Sequence, residues 1–273
     1  MRSDGIGRKQ TIVWRAYPGG SWGATRPRYP SAVTPDRNAP AKDRIGPITK
    51  GLAKAYPDAT IALNFTTPLE CVVATVLSAQ STDVKVNEVT KTLFRKYRKP
   101  EDYLKVPEEE LQEDIHATGF FRQKTRALRG LSQKLLDHFD GEVPGTIAEL
   151  IQLPGVARKT ANVVQSNCFP DELAKDPDAG IVVDTHVGRL AVRLGLTDKG
   201  PKHAEKVEAD LLALVPKKQW SRISYLLIDH GRTICLAKKP SCGDCPIEPL
   251  CPSSQEAGEQ DLYRVAAGKP RSR

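Results

Sequence analysis

The sequence predicts an all-α fold, and two features carry that prediction. Apolar residues recur at helical spacing along most of the chain after Arg44, and no segment alternates as a strand would. The 273 residues are 39% hydrophobic and have a net charge of +8. The longest apolar stretch, residues 71–77, is far too short to cross a bilayer, and the first ten residues lack the apolar centre of a signal peptide. We therefore expect an intracellular protein, in the cytoplasm or nucleoid of a bacterium or the nucleus or mitochondrion of a eukaryote.

Proline and glycine mark where the predicted helices begin and end. Ile45, Ile48 and Leu52 share one face of a first helix that ends before Pro57, and Pro68 opens a buried apolar segment. Stripes of apolar residues at helical spacing then predict further helices at 86–97, after Pro107, at 128–135, 146–152, 157–167, 185–195, 203–215 and 218–230. Residues 168–180 are polar and are predicted to form a loop.

Residues 1–43 differ from the rest of the chain. They contain eight Lys or Arg against three Asp, which accounts for +5 of the net charge, together with five glycines and five prolines. This composition predicts a disordered basic tail. Four aromatic residues lie among its arginines, which is compatible with stacking on nucleic-acid bases, but a targeting or solubilising segment would have the same composition.

Four of the six cysteines lie within seventeen residues. Cys235, Cys242, Cys245 and Cys251 have the spacing C-x6-C-x2-C-x5-C. In a chain without a secretory signal, such a group indicates a metal centre more than disulfides. Four thiolates suit either structural zinc or an iron–sulfur cluster, and the spacing alone does not separate the two.

The segment LPGVARKTANVV, residues 153–164, predicts a tight turn between two helices. Several unpaired N–H groups at the start of the second helix would suit a phosphate of a DNA strand. Lys159 falls in the first turn of that helix, where the helix dipole and the adjacent charge of Arg158 favour a neutral, nucleophilic amine. A surface lysine that touches phosphate is the simpler alternative.

Asp184 follows an apolar pair in VVDTHVGRL, residues 182–190, at the predicted start of a helix. A carboxylate at this position caps free N–H groups. It could also manage the proton of Lys159 and stabilise positive charge on a sugar. These two roles are compatible.

The combination of motifs resembles the endonuclease III family, helix-hairpin-helix DNA glycosylases that remove oxidised pyrimidines. The resemblance extends from about residue 45 to residue 252 and includes LSAQSTD at 77–83, LPGVARKTANVV at 153–164, VDTHVGRL at 183–190 and the four cysteines. It implies a bifunctional DNA glycosylase and abasic-site lyase that acts on double-stranded DNA in base excision repair. It also implies that the four cysteines bind a 4Fe–4S cluster.

The resemblance implies roles for individual residues. Lys159 and Asp184 match the catalytic pair of the family. Gln80 matches the residue that fills the space of an extruded nucleotide, and Phe120 matches an apolar wedge. The DNA-binding surface would further include Gly155, Ala157, Arg158, His186, Lys238 and Lys239. The sequence departs from the family pattern where Ala157 replaces a common glycine, where the wedge is aromatic, and where residues 168–180 lengthen a loop.

The family fold implies two helical domains beside a DNA groove. A six-helix barrel would span residues 64–178, and a cluster domain would combine 44–63 with 179–252. Residues 253–273 would be a flexible C-terminal tail, and we expect a monomer. Two alternatives are a monofunctional mismatch glycosylase, which would lack a lysine at position 159, and a non-catalytic iron–sulfur DNA-binding module.

Overall fold

The computed structural model describes residues 35–200 and 202–268, and within these ranges it contains helices and no strand. The all-α prediction is confirmed. In chain order the α-helices are α1 (Ala41–Ala55), α2 (Pro68–Leu77), α3 (Asp83–Lys96), α4 (Pro100–Lys105), α5 (Glu108–Ile115), α6 (Phe121–His138), α7 (Ile147–Leu150), α8 (Arg158–Cys168), α9 (Pro170–Lys175), α10 (Thr185–Arg193), α11 (Ala204–Leu214), α12 (Trp220–Thr233) and α13 (Leu262–Ala266). None of the helices in the described residues is long and apolar enough to span a membrane.

Short polar side chains determine where several helices begin. The hydroxyl of Thr67 accepts a hydrogen bond from the Glu70 N–H at the start of α2, and Pro68 occupies the first helical position. Thr82 caps α3 in the same way through the N–H of Lys85. These caps place the LSAQSTD segment as a short connection between the end of α2 and the start of α3.

The first hydrophobic core is built from helices α2 to α8. Its fully buried members include Val72, Leu93, Leu111, Leu131 and Leu150, each from a different helix. Arg129 on α6 ties the end of α4 to this core by donating to the carbonyls of Tyr103 and Val106. This core supports the connection after α2 and the turn before α8, which both carry predicted site residues.

The second hydrophobic core joins the first helix of the chain to its C-terminal half. Ile48 and Leu52 of α1 pack with Leu190 of α10, Leu211 of α11 and Leu226 of α12. These side chains are all buried. A contact between segments so far apart in sequence brings α1 beside the cysteine-rich segment after α12.

Residues 168–180 are not the loop that the sequence predicted. Helix α9 occupies Pro170–Lys175, and Asp176 behind it is buried. The carboxylate of Asp176 accepts hydrogen bonds from the Ile147 N–H at 2.8 Å and from Gln165 Nε2 at 2.6 Å. Lys217 Nζ donates to the Asp176 carbonyl at 2.8 Å. The polar composition reflects this hydrogen-bonded anchor and not an unstructured segment.

The predicted flexible tail from residue 253 is also wrong for residues 253–268. Ser253, Ser254 and Asp261 are buried, and α13 packs against α10. Asp261 forms an ion pair with Arg193 at 2.9 Å, in which both side chains are almost fully buried. Its partner lies 68 positions earlier in the sequence, so no local pattern predicts it.

The predicted basic tail, residues 1–43, falls largely outside the described residues. The part that is described belongs to the fold. Helix α1 begins at Ala41, three residues before Arg44, and Arg37 pairs with Glu248 at 3.0 Å. The boundary of any independent N-terminal segment therefore lies earlier than residue 43.

Candidate active site

An open cleft of about 300 Å³ contains both predicted catalytic side chains. Lys159 comes from the first turn of α8, and Asp184 from the residue before α10. Gln80 lines the same cleft from the connection between α2 and α3. The cleft thus combines an amine, a carboxylate and an amide that are up to 104 positions apart in the sequence.

Asp184 caps helix α10 with one carboxylate oxygen. Its Oδ1 atom accepts hydrogen bonds from the backbone N–H groups of His186 and Val187, both at 2.8 Å. Within the described residues, Oδ2 accepts no side-chain or capping hydrogen bond. Capping therefore fixes the orientation of the carboxylate and leaves one oxygen free to act in the cleft.

Lys159 is held by the hairpin formed by α7, a turn and α8. Gly155 in this turn has φ +81°, and a Cβ there would lie 2.9 Å from the Cβ of Ala127 on α6. Glycine is thus required both by the left-handed backbone and by the close approach to α6. In the described residues, no backbone carbonyl accepts from the N–H groups of Gly155 or Ala157. These two N–H groups are therefore not engaged by the backbone of the described residues.

Arg158 has a different environment from the one we expected. Its guanidinium binds Glu208 through two hydrogen bonds, Nε to Oε2 at 3.1 Å and Nη2 to Oε1 at 2.9 Å. The Glu208 side chain is 8% exposed, and Asn162 also donates to it at 3.0 Å. The hydrogen bonds to Glu208 raise the pKa of Arg158 although burial acts the other way. Glu208 thus compensates the charge of Arg158, and the ion pair connects α8 to α11.

Gln80 and Phe120 lie on two neighbouring loops and share an unusual backbone conformation. Their φ angles are +54° and +49°, in the left-handed region that non-glycine residues rarely occupy. Both side chains are exposed, Phe120 to 58%. Together they line a second cavity of about 240 Å³, which also includes Gly155 and shares Ala79 and Gln80 with the catalytic cleft.

The remaining predicted DNA-binding residues lie outside the lining of the cleft. His186 is half-buried on α10, with Nδ1 3.2 Å from Arg189 Nη2. Lys238 and Lys239 are exposed on the segment that follows Cys235. The structure therefore brings Lys159, Asp184 and Gln80 together and leaves these three residues at separate positions.

Two features of the cleft were not predicted. Arg232 of α12 pairs with Asp83 at the start of α3 at 2.8 Å, and both residues line the cleft. Tyr225 of α12 also lines it, and its hydroxyl accepts a hydrogen bond from Asn167 at 2.6 Å. Asp83 ends the LSAQSTD motif and could have been singled out there. Arg232 and Tyr225 carry no local signal, since their partners lie on distant helices.

The four clustered cysteines line a single cavity beside α10 and α12. Cys235, Cys242, Cys245 and Cys251 all contribute to its wall. In the part of the chain that the structure describes, no three His, Cys, Asp or Glu side chains converge closely enough to hold one metal ion. The thiols surround a shared space, in a loop that runs over the second core.

Side-chain nitrogen atoms of α10 and α12 face two of these thiols. Arg193 Nη1 lies 3.3 Å from Cys235 Sγ, and His230 Nε2 lies 3.5 Å from Cys245 Sγ. Burial raises the pKa of Cys245 to about 11 and that of Cys251 to about 12. A group that binds them as thiolates would therefore have to displace protons. Sulfur ligands with nearby N–H donors fit a thiolate-bound metal centre.

The helical fold and the hairpin that carries Lys159 can be compared with those of known proteins. The sequence profile of the HhH-GPD superfamily of base excision DNA repair proteins matches residues 73–217. The chain belongs to this superfamily.

The relatives within the superfamily narrow the assignment. Endonuclease III of Synechocystis is 46% identical over 217 residues, which cover 80% of this chain and 95% of the relative. A solved non-covalent endonuclease III–DNA complex has 42% identity and a TM-score of 0.71, and covers 80% of this chain and 98% of the other. A trapped endonuclease III–DNA covalent intermediate matches with the same identity and TM-score.

These matches confirm the resemblance to endonuclease III that the sequence motifs indicated. They also confirm the function assigned from it, that of a DNA glycosylase and abasic-site lyase of base excision repair. The two alternatives, a monofunctional mismatch glycosylase and a non-catalytic binding module, are not favoured.

Proposed function

We propose that Lys159 is the nucleophile and Asp184 the assisting carboxylate of a glycosylase that removes oxidised pyrimidines. The observation that carries this proposal is the shared cleft. An amine at the start of α8 and the carboxylate that caps α10 line one cavity. An amine can form a Schiff base, whereas a hydroxyl or a water molecule cannot. A lysine in this place therefore favours the combined glycosylase and lyase reaction.

The chemistry begins once the damaged nucleotide has left the base stack. As the bond between C1′ and the base breaks, its electron pair leaves with the base, which takes up a proton. The lone pair of Lys159 Nζ forms the new bond to C1′ as the base departs. The sugar is positively charged during this step, and the free oxygen of Asp184 stabilises that charge. Opening of the sugar ring and loss of an Nζ proton leave a protonated Schiff base.

The Schiff base explains why the same site breaks the strand. An iminium at C1′ makes the C2′ proton acidic. Removal of this proton drives the electron pair toward C1′ and expels the 3′ phosphate, so the C3′–O bond breaks. Water then hydrolyses the imine and releases Lys159. Two carboxylates line the cleft, and since Asp83 is paired with Arg232, Asp184 would exchange these protons through its free oxygen.

Gln80 and Phe120 support extrusion of the nucleotide. Flipping a base from duplex DNA costs a few kcal/mol, and less when the base is damaged. Wedge side chains offset this cost by occupying the vacated stack. Both residues are exposed on adjacent loops at the edge of the catalytic cleft, which supports this role.

The hairpin turn would bind the backbone of double-stranded DNA. The free N–H groups of Gly155 and Ala157 and the start of α8 suit one phosphate, and Lys238 and Lys239 add positive charge on the segment that follows Cys235. The two hydrophobic cores would form the two domains on either side of the DNA. One protein molecule would act at each damaged pyrimidine or abasic site, inside the cell.

We further propose that Cys235, Cys242, Cys245 and Cys251 bind a 4Fe–4S cluster. When bound, the cluster would hold the loop with Lys238 and Lys239 in shape and take no part in base removal. The purified protein should be brown, with broad visible absorption and about four irons per chain. A colourless protein with one zinc ion would contradict this assignment.

Borohydride trapping tests the catalytic proposal. Reduction of the Schiff base links the protein to a duplex that contains an oxidised pyrimidine or an abasic site. Lys159→Ala should abolish the linked species and still bind the duplex, whereas Lys105→Ala, which removes an exposed lysine of α4, should react as the natural protein does. Normal trapping by Lys159→Ala would show that another amine is the nucleophile.

A further inference from the structure

A buried ammonium group lies beneath the two loops that carry Gln80 and Phe120. Lys124 belongs to α6 and is only 4% exposed. Its Nζ atom donates to the Leu77 carbonyl at 2.7 Å and to the Thr118 carbonyl at 2.8 Å. Neither acceptor is a carboxylate, and burial lowers the pKa of Lys124. Burial of an ammonium is unfavourable unless its hydrogen bonds are satisfied. Here two backbone carbonyls provide those hydrogen bonds.

Both carbonyls belong to helix ends. Leu77 is the last residue of α2, and Thr118 is the last residue of the short 3₁₀ helix His116–Thr118. Carbonyl groups at helix C-termini lack intrahelical donors and carry the negative end of the helix dipole. One ammonium thus joins two helix ends that are 41 positions apart in the sequence.

The chain leads from each of these carbonyls directly to a predicted wedge residue. Gln80 follows Leu77 by three residues, and Phe120 follows Thr118 by two. In the described residues, only three non-glycine residues have positive φ angles, and Gln80 and Phe120 are two of them. Such a conformation costs of order 1 kcal/mol and persists only where surrounding contacts enforce it. Lys124 also lines the 240 Å³ cavity between the two wedge residues.

We propose that Lys124 is a positioning residue that fixes Gln80 and Phe120 relative to each other, so that both enter the DNA stack as one preformed unit. Lys124 acts through the carbonyls of Leu77 and Thr118 and does not touch the reacting sugar. The inference rests on the functions proposed above for Gln80 and Phe120. It adds a residue that controls nucleotide extrusion and has no part in Schiff-base chemistry.

Two substrates separate extrusion from chemistry. In a duplex, the nucleotide must be extruded and the gap filled, whereas a single-stranded abasic oligonucleotide has no opposing stack. Lys124→Met should slow single-turnover base removal from a lesion duplex by about tenfold and leave strand cleavage of the single-stranded abasic oligonucleotide unchanged. Lys134→Met removes another lysine of the same helix and should change neither rate. Equal slowing on both substrates would overturn the proposal.

A double-mutant cycle tests whether Lys124 acts through the wedge residues. In a protein that already carries Gln80→Ala and Phe120→Ala, Lys124→Met should have almost no further effect on the duplex reaction, because the side chains that it positions are gone. A general loss of stability would instead reduce the rate by the same factor in both backgrounds, and that result would also overturn the proposal.

Amide hydrogen exchange provides a readout that does not depend on activity. Lys124→Met should accelerate exchange both at residues 78–82 and at residues 117–121, while α8 remains protected. Unchanged exchange in either loop would contradict the proposed link. If Lys124→Met does not fold, Lys124→Gln, which keeps an N–H donor, is measured in the same way and should show a smaller acceleration in both loops. If the natural protein itself shows no cleavage that depends on Lys159, that result would instead contradict the proposed catalytic function.

Discussion

At the scale of single residues, the two oxygens of Asp184 serve different purposes. Oδ1 accepts from two backbone N–H groups of α10 and so contributes to folding. Oδ2 is the oxygen that remains for the proposed chemistry. A substitution can therefore separate the cap from the charge, because asparagine retains an oxygen that accepts hydrogen bonds but has no negative charge.

Asp184→Asn should leave the free energy of unfolding within about 0.5 kcal/mol of the natural value, since asparagine caps helices as well as aspartate does. Asp184→Ala should lower it by about 1 kcal/mol through loss of the cap. Both variants should remove the damaged base much more slowly in single-turnover assays. Thermal unfolding of the two variants measures the cap, and a fully active Asp184→Asn protein would show that the carboxylate serves only as a cap.

The sequence could predict the residues that carry chemistry but not their partners. Lys159, Asp184 and Gln80 lie within short motifs, and the structure places all three on one cleft. The ion pair of Arg158 with Glu208 and the bond of Lys124 to the Leu77 carbonyl depend on helices that meet only in the folded chain. Such contacts leave no periodic pattern, so the sequence predicts a DNA-binding role for Arg158 and gives no sign of the acid that binds it.

At the scale of elements, the segment of residues 168–180 stabilises the hairpin that carries Lys159. Asp176 reaches back to the Ile147 N–H at the start of α7 and to Gln165 on α8. Burial raises the pKa of Asp176, but the hydrogen bonds from the Ile147 N–H, Gln165 and the Asp178 N–H, together with the charge of Lys217, lower it overall. The segment of residues 168–180 thus stabilises both helices of the hairpin, α7 and α8.

Asp176→Asn should destabilise the protein at pH 7 by about 1–3 kcal/mol, since the buried N–H groups lose a charged acceptor. A carboxylate with a lowered pKa stabilises the fold above its unfolded-state pKa, about 3.9, and loses this contribution as the pH falls through the lower folded-state value. The difference in unfolding free energy between the two proteins should therefore shrink below about pH 4. Denaturant unfolding from pH 7 to pH 3 measures it, and a constant difference would contradict this account.

Helices with long apolar stripes were predictable, whereas short anchored ones were not. The buried periodic residues of α1 lie in the second core, and those of α3 and α6 lie in the first. Helices α9 and α13 have six and five residues, too few for a periodic pattern, and are held by single buried carboxylates. Such short helices depend on contacts with residues that are distant in the sequence, and hydrophobic periodicity does not reveal these contacts.

At the scale of the whole molecule, positive charge is concentrated in residues 1–34. Residues 1–34 contain six Lys or Arg and one Asp, so they contribute +5 of the net charge of +8. The remaining 239 residues carry only +3. By composition, residues 1–34 thus carry the largest excess of positive charge in the sequence, and we propose that they attract undamaged DNA.

Deletion of residues 1–34 should weaken binding to undamaged duplex and leave the single-turnover rate at saturating enzyme unchanged. The cut at residue 34 keeps Arg37, which pairs with Glu248, and the start of α1, so the folded region stays intact. Nonspecific affinity depends on the number of phosphates that basic side chains neutralise. The slope of log K against log salt, where K is the association constant for undamaged duplex, measures this number. Deletion of the segment should reduce the magnitude of the slope by about 0.9 for each phosphate that the segment neutralises.

A matched variant separates charge from the rest of the segment. Replacement of the six Lys and Arg of residues 1–34 by Gln keeps the length and the aromatic residues. It should reproduce the salt slope of the deletion, because counterion release depends on charge alone. Residual affinity of this variant at high salt, above that of the deletion, would measure stacking by Trp14, Tyr17, Trp22 and Tyr29. Equal salt slopes for the natural protein, the deletion and the neutral variant would show that the segment does not contact DNA and leave targeting or solubility as its role.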